Sequence, residues 1–476
     1  MNVRSIRENK IISYLVGVIN SDYYPFINAL VFTVLYYLAL DIVALYFLAI
    51  SIIFTLLFVD DLTPFFAQII YVNFVVSYQN SPSSVSGNSG YYLNPAIYVQ
   101  IFVLVFLCAV AVIYRLVKAI KEKKFKFNGV SLSLIFLAGA LLLGGLFSDE
   151  HSFIDIFYGF ALAFFFCIIN FVFNGNAKIT KENIRKICLT FVALSVMLLV
   201  QLGVKYVVNF GEIVKDGAID KSAITFGWGI WNTMSMYLVI SLPPIFYLAC
   251  THERGYLYFI YAIVVFGAIF AVSSRQGMLI AFFLFPACLY MLFKYGKNKR
   301  INGIITIICA CILLILSIIF FDKVIKLFSG ILTALFNENG ELSGSFRVEL
   351  FNLALIKYLK FPVFGVGFST SILYAIEFVG LNGVIPLMFH NTIAQILSAC
   401  GTVGIMAYVY HRFQTVRCFI KNRTKERTFL ALSLVAFILI NLFDNHIFYF
   451  FPTMIYSVLV YYATGDGENT AKKEQT

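Results

Sequence analysis

Residues 304–321 read IITIICACILLILSIIFF, a run of apolar residues and two polar hydroxyl side chains without a single charge. An α-helix needs about 20 mainly apolar residues to cross the roughly 30 Å hydrocarbon layer of a bilayer. A run of this length and composition therefore predicts a transmembrane helix.

Comparable runs recur through most of the chain. Of its 476 residues, 61% are hydrophobic and only 12% are charged, and the mean hydropathy is +0.88. Soluble globular proteins have about 45–50% apolar and about 25% charged residues, so the composition excludes a water-soluble enzyme. We predict an all-α polytopic membrane protein with about 12–14 transmembrane helices. The candidate spans are 25–40, 42–59, 65–78, 97–117, 130–147, 156–174, 187–207, 230–250, 256–272, 277–293, 304–321, 390–410, 429–445 and 448–463.

The basic residues predict how these spans are oriented. With the N-terminus in the cytoplasm, 26 of the 35 Lys and Arg residues fall in loops on the cytoplasmic side, as the positive-inside rule requires. The net charge of +11 is therefore typical of a multi-pass membrane protein and does not indicate a nucleic-acid partner. We expect both termini in the cytoplasm and no cleavable signal peptide before the first span.

One loop on the predicted outer side is far longer than the others. It divides the chain into four parts: transmembrane helices at 1–321, the loop at 322–389, further transmembrane helices at 390–463 and a cytoplasmic tail at 464–476. Loops of this length usually carry function or are disordered, and the aromatic and aliphatic residues throughout this one favour packing onto the bundle. We expect short helices at 323–336 and 346–358, followed by turn glycines at Gly365 and Gly367.

Three residues on the outer side are candidates for chemistry. Arg275 lies beside Gln276 between two apolar runs, where an arginine is costly unless it meets water or a partner. Arg347 lies in the long loop, where a surface ion pair with a nearby glutamate is the simpler interpretation. His390 lies where the loop re-enters the membrane. A histidine can accept a proton near neutral pH, although a plain interfacial residue is the simpler reading of an isolated one.

The helix predicted after His390 and Asn391 contains small residues about one turn apart, which is typical of a close-packing face in a membrane. These residues are Ala394, Ser398, Gly401 and Gly404. Two further polar clusters on the same side, 149–151 and 444–446, are most simply interpreted as turns between helices.

His390-Asn391, nine residues and then Gly401-x-x-Gly404 resemble the signature of the O-antigen ligase and O-antigen polymerase superfamily. Three preceding segments resemble the family's other motifs in the same order: the Asn232 span ending at Pro243-Pro244, then Ser274-Arg275-Gln276-Gly277, then Arg347 with Pro362-x-x-Gly365-x-Gly367. The departure is Trp231-Asn232-Thr233, where the family often has proline beside the asparagine. This departure leaves the role of Asn232 open.

The resemblance implies a GT-C-like glycosyltransferase of the bacterial cytoplasmic (inner) membrane that needs no metal or other cofactor. Its donor would be an oligosaccharide on a polyprenyl diphosphate, such as undecaprenyl diphosphate, at the outer leaflet. Its acceptor would be a second glycan or a lipid-linked molecule. The lipid bilayer and a chain-length regulator are its other candidate partners, and the active site would face outside.

The chemistry of such a transfer agrees with the candidate residues. The diphosphate leaving group gains negative charge, which guanidinium groups bind well because their planar fork holds two phosphate oxygens. Arg275 and Arg347 would bind the diphosphate, and His390 would act as the catalytic base that receives the acceptor's proton. A single displacement would invert the anomeric centre. Asn391, Gly365, Gly367 and Gln276 would support the site.

Other functions are compatible with parts of the pattern. The motifs do not separate a polymerase, which joins glycan repeats, from a ligase, which hands the glycan to another acceptor. A polysaccharide flippase or other secondary transporter would need charged residues lining the bundle at mid-membrane. The charges here gather at the outer ends of the spans, with Asp41 as an exception in a short connection.

We predict that Arg275→Ala, Arg347→Ala and His390→Ala each abolish glycan transfer without abolishing membrane insertion, because each removes a polar side chain that would bind or react with the substrate and none of the apolar residues of a span. Transfer from a lipid-linked donor and the amount of protein in the membrane fraction are the two measurements. Full transfer by any of these variants would remove that residue from the site.

Overall fold

The computed structural model describes residues 9–76, 95–150, 152–215, 218–319, 347–371 and 389–465. This part of the chain is almost entirely helical, with two short antiparallel pairs, β1 (Val214–Lys215) with β2 (Ala218–Ile219) and β3 (Thr225–Phe226) with β4 (Gly229–Ile230). The helices are α1 (Lys10–Ile19), α2 (Tyr24–Tyr37), α3 (Asp41–Phe58), α4 (Phe65–Val76), α5 (Pro95–Lys121), α6 (Gly129–Leu142), α7 (Phe153–Asn176), α8 (Lys181–Val208), α9 (Phe210–Ile213), α10 (Trp231–Thr251), α11 (Gly255–Ala271), α12 (Arg275–Tyr295), α13 (Lys299–Ile319), α14 (Arg347–Lys360), α15 (Thr392–Lys421), α16 (Lys425–Asn441) and α17 (Phe450–Thr464).

A helix lies at each of the predicted spans, so the all-α polytopic class is confirmed. Within the described ranges, seven helices are long and apolar enough to cross a bilayer: α3, α5, α7, α8, α10, α12 and α15. Shorter apolar helices accompany them, so the number that cross stays a prediction. In the long loop, α14 lies where the second short helix was expected, whereas the expected helix at 323–336 lies outside the described residues.

The helix termini gather at two polar ends of the bundle. At one of them, which we call the basic end, Arg185 pairs with Asp22 at 2.6 Å and the Asn183 amide donates to Asp61 at 2.7 Å. These contacts join loops that the charge pattern places together on the cytoplasmic side. The other end, which we call the site end, holds the candidate site residues. That the basic end faces the cytoplasm stays a prediction.

Helix α10 is enclosed by other helices over most of its length and carries Asn232 at its site end. All its residues from Met234 to Cys250 are buried, and it packs against α8, α11, α12 and α16. Pro244 lacks the N–H that would bond to the carbonyl of Ile240 four residues earlier. Ser433 of α16 donates its hydroxyl to that carbonyl at 2.8 Å, which satisfies a backbone group that would otherwise lie unpaired in the bundle.

Helix α15 is interrupted at Gly401, whose φ of +61° and ψ of −152° are not helical. The Pro362–Gly367 loop lies against the break and pairs with it. The N–H groups of Val366 and Gly367 donate to the carbonyls of Ser398 and Ala399, and those of Thr402 and Val403 donate to the carbonyls of Pro362 and Val363, at 2.8–3.1 Å. The small residues predicted to form a close-packing face are buried, but at Gly401 the backbone leaves the helix to bond with the loop.

We predict that Gly367→Ala lowers the thermal midpoint of the detergent-solubilised protein by several degrees. Gly367 has a φ of +100°, and a Cβ there would lie 2.4 Å from Cγ of Asp155. Left-handed backbone alone costs a non-glycine residue about 1–3 kcal/mol, and the overlap adds to this. The control is Gly267→Ala in α11, where a Cβ meets nothing within 4 Å. Equal midpoints for the two variants would contradict the prediction.

Candidate active site

The buried carboxylate of Asp444, between α16 and α17, is the centre of the candidate site. Its Oδ1 lies 3.2 Å from Nδ1 of His390 and accepts the backbone N–H of Asn445 at 2.8 Å. The side-chain amides of Asn232 and Gln276 reach its Oδ2 at 3.4 and 3.5 Å. Segments that are more than 200 residues apart in sequence thus meet on one charge.

The start of α15 holds His390 against this carboxylate. His390 has a φ of +50°, a left-handed conformation that costs about 1–3 kcal/mol and is found mainly where function or packing enforces it. The side chain of Asn391 accepts two backbone N–H groups of the first helical turn, and its amide donates to the carbonyl of Leu442 at 2.9 Å. Asn391 therefore joins the start of α15 to the turn that carries Asp444.

The ionised state of Asp444 determines which ring nitrogen of His390 carries the proton. Burial alone would raise the pKa of the Asp444 carboxyl, but the neighbouring His446 and His390 and the Asn445 N–H outweigh it and lower that pKa below its usual range. An ionised carboxylate has only acceptors, so Nδ1 of His390 carries the proton that lies between them. Its Nε2 is then free to accept a proton. The side chain of His390 is 31% exposed, which leaves it accessible to a substrate.

The tight turn between α11 and α12 brings Arg275 next to this cluster. Ser273 adopts a φ of +60° in the turn, and α12 begins with Arg275 and Gln276. While Gln276 points at Asp444, the Arg275 side chain is exposed and makes no ion pair with any residue that the structure describes. A guanidinium without a protein partner beside a polar site is suited to binding an anion.

Two further contacts explain why a serine and a glycine flank Arg275. Ser274 donates its hydroxyl to Oδ1 of Asn232 at 2.9 Å. Gly277 lies so close to α10 that a Cβ would come 1.7 Å from Oγ of Ser235. Both contacts hold the start of α12 against the start of α10, so that Asn232 and Gln276 reach the same carboxylate.

Arg347 is the first residue of α14, and its side chain lies outside the described residues. One turn later, Leu350 and Ala354 of α14 form a buried cluster with Phe389 and Ala394, which flank His390. The backbone start of α14 is therefore near the candidate base. Gly365 and Gly367 lie against the break in α15.

A comparison with protein-family models gives one match, to the family described as O-antigen ligase, over residues 260–409. The matched segment makes up less than half of the chain. A comparison with curated proteins found no match. The match supports a relation of this segment to the O-antigen ligase and polymerase superfamily.

The O-antigen ligase match includes Arg275, Arg347 and His390 and ends before Asp444. Sequence reasoning missed Asp444, since it interpreted 444–446 as a plain turn, and it left the role of Asn232 open. The available signal was a carboxylate and a histidine adjacent to a span end on the same predicted side as His390. That signal does not say which distant residue the carboxylate contacts.

No group of three or more His, Cys, Asp or Glu side chains within the described ranges is arranged to hold a metal ion. Both oxygens of Asp444 are engaged by hydrogen-bond donors of the chain. His390, hydrogen-bonded to Asp444, can therefore act as a proton acceptor. That the reaction needs no metal stays a prediction.

We predict that Asp444→Asn lowers the free energy of unfolding at neutral pH by about 1–3 kcal/mol, because an amide NH₂ then faces the donors that bonded to the carboxylate. The thermal midpoint should fall accordingly. Since folding lowers the pKa of Asp444, its stabilising effect is complete above the usual carboxyl range and is lost as pH falls through the folded pKa. The gap between wild type and variant should therefore persist from neutral pH to about pH 5.

The matched control is Asp149→Asn, an exposed carboxylate 4.0 Å from Lys360, which should leave the midpoint unchanged. A gap between wild type and Asp444→Asn that vanishes between pH 7 and pH 5 would show that Asp444 is not held ionised in the folded protein.

Proposed function

We propose that this protein transfers a glycan from a polyprenyl-diphosphate donor to an acceptor hydroxyl by a single, inverting displacement. The observation that supports this most strongly is the meeting of His390 with buried Asp444 beside Arg275, at the end of the bundle opposite the basic end. The O-antigen ligase match supports the same class of chemistry.

The diphosphate is the part of the donor that the arginines recognise. Arg275 is exposed and has no ion-pair partner among the described residues, so it is available to an incoming anion. Arg347, at the start of α14, is the second candidate because that helix end packs near His390. Two guanidinium groups stabilise the charge that develops on the departing diphosphate, and this lowers the barrier because the charge is larger in the transition state.

The proton of the acceptor goes to His390. With Nδ1 donating to Asp444, Nε2 takes the proton as the acceptor oxygen attacks the anomeric carbon. The new carbon–oxygen bond forms while the bond from that carbon to the diphosphate oxygen breaks, and the bonding electrons leave with the diphosphate. Asp444 does not touch substrate. It orients His390 and stabilises the imidazolium that results.

The charge pattern of the loops supports a proposal for the setting. We place the basic end in the cytoplasm, both termini on that side and the site end at the outer leaflet of the bacterial cytoplasmic membrane. The acceptor is a second lipid-linked glycan if the enzyme is a polymerase, or another lipid-linked molecule if it is a ligase.

The test is to incubate purified protein in detergent with a polyprenyl-diphosphate oligosaccharide and to separate the products by gel and mass. Consumption of the donor with release of polyprenyl diphosphate is the expected result. A ladder of products identifies a polymerase, and a single addition to a supplied acceptor identifies a ligase. An intact donor, under conditions where a related enzyme turns over, would refute the proposal.

Arg275→Ala and Arg254→Ala form a matched pair for this assay. Both arginines are exposed and both adjoin the start of a helix, but Arg254 lies next to α11 at the basic end. We expect Arg275→Ala to lose at least about 100-fold in rate, as expected for one transition-state donor, and Arg254→Ala to retain the wild-type rate. Equal rates for the two variants would count against anion binding at Arg275.

A further inference from the structure

A fully buried glutamine, Gln395, lies in the first turns of α15 and bonds to residues adjacent in sequence to His390 and Asp444. Its Oε1 accepts the backbone N–H of Phe389, the residue before His390, at 3.2 Å. The same oxygen accepts the side-chain amide of Asn445, the residue after Asp444, at 3.2 Å. One side-chain atom therefore bonds to a neighbour in sequence of each member of the His390–Asp444 pair, which we call the dyad.

The other end of this side chain is held just as firmly. Nε2 of Gln395 donates to the hydroxyl of Ser371 at 2.7 Å, and that hydroxyl donates to the carbonyl of Phe368 at 2.8 Å. All hydrogen-bonding atoms of the Gln395 side chain are thus directed at the loop or at the dyad. With an exposure of 0%, the side chain has no water to replace a lost partner.

The loop that holds Gln395 is anchored by a second buried carboxylate, Asp155 at the start of α7. Asp155 accepts the N–H and the hydroxyl of Thr370 at 2.9 and 2.7 Å, and it also accepts the N–H and hydroxyl of Ser152 at 3.0 Å. Gly367 packs directly onto this carboxylate. The neighbouring Glu150 pairs with Lys357 and Lys360 of α14 at 3.4 and 2.7 Å, so this residue of the predicted turn also anchors α14.

We propose that Gln395 is a positioning residue that sets the contact between His390 and Asp444, and that Asp155 fixes the loop against which Gln395 is held. Neither residue touches the substrate. The inference rests on the proposed function for its kinetic consequence, although the placement of the dyad does not depend on that function.

The geometry explains why an uncharged amide is needed at this place. Oε1 must accept from two donors while Nε2 donates, and a glutamine side chain offers both groups on one rigid plane. A carboxylate would add a second buried negative charge close to Asp444, which is costly without a counter-ion. An apolar side chain of the same length would leave the Phe389 N–H and the Asn445 amide unpaired.

The variant to test is Gln395→Met, because methionine keeps the length and volume of glutamine and removes its hydrogen bonds. A shift of the dyad by about 1 Å can cost about 100-fold in rate. We therefore expect kcat to fall about 100-fold with little change in KM, since Gln395 does not contact the donor. Gln414→Met, at the other end of the same helix, is the matched control and should keep the wild-type kcat.

A double-mutant cycle separates positioning from a general loss of stability. If Gln395 acts through the dyad, the Asp444→Asn protein loses little further rate when Gln395→Met is added, because the contact to be positioned is already lost. If the two residues acted independently, the fold-losses in kcat of the two single variants would multiply in the double variant. A multiplied loss, or an unchanged kcat in Gln395→Met, would overturn the proposal.

A cryo-electron microscopy map of Gln395→Met in a lipid nanodisc tests the placement whether or not the donor is consumed. We expect the distance between the His390 ring and the Asp444 carboxylate to lengthen beyond hydrogen bonding while the remaining helices superimpose on the wild type. An unchanged dyad would overturn the inference alone. A displaced dyad in a protein whose wild type consumes no donor would uphold the placement and refute the proposed function.

Discussion

The buried carboxylate of Asp444 organises the candidate site of this protein. An isolated carboxylate in a poorly hydrated environment is expensive, so it must be surrounded by donors or lose its charge. Asp444 meets that requirement by drawing in His390, Asn232 and Gln276, which arrive from three other segments of the chain. The contacts that stabilise the negative charge of Asp444 also bring a proton acceptor and an exposed arginine close together.

A second constraint acts on the backbone. Peptide groups that leave regular helix inside a membrane protein must find partners within the protein. The break of α15 at Gly401 and the Pro362–Gly367 loop satisfy each other's backbone groups. The first turns of α15, which follow His390, are thus fixed by hydrogen bonds to the loop and to Asn391, which gives the histidine a defined position despite its strained backbone.

Hydropathy was sufficient to predict the helices of the candidate spans, because it is local in sequence and each span must be apolar by itself, but α1 at Lys10–Ile19 was not predicted. The turn glycines were predicted for the same reason, and Gly365 and Gly367 have positive φ values. The partners of Asp444 and Gln395 could not be predicted in this way. Their contacts join residues tens to hundreds of positions apart, and a polar residue at a span end looks the same whether it faces water or a buried donor. The break at Gly401 was missed because a glycine among small residues is equally typical of close helix packing.

A structure of the protein with a polyprenyl-diphosphate oligosaccharide bound would test the proposed site most directly. We expect the diphosphate to contact the guanidinium groups of Arg275 and Arg347. The anomeric carbon should lie where an acceptor hydroxyl next to Nε2 of His390 can attack it from the side opposite the diphosphate. A donor bound at the basic end, or a diphosphate held by other residues with His390 remote from the anomeric carbon, would contradict it.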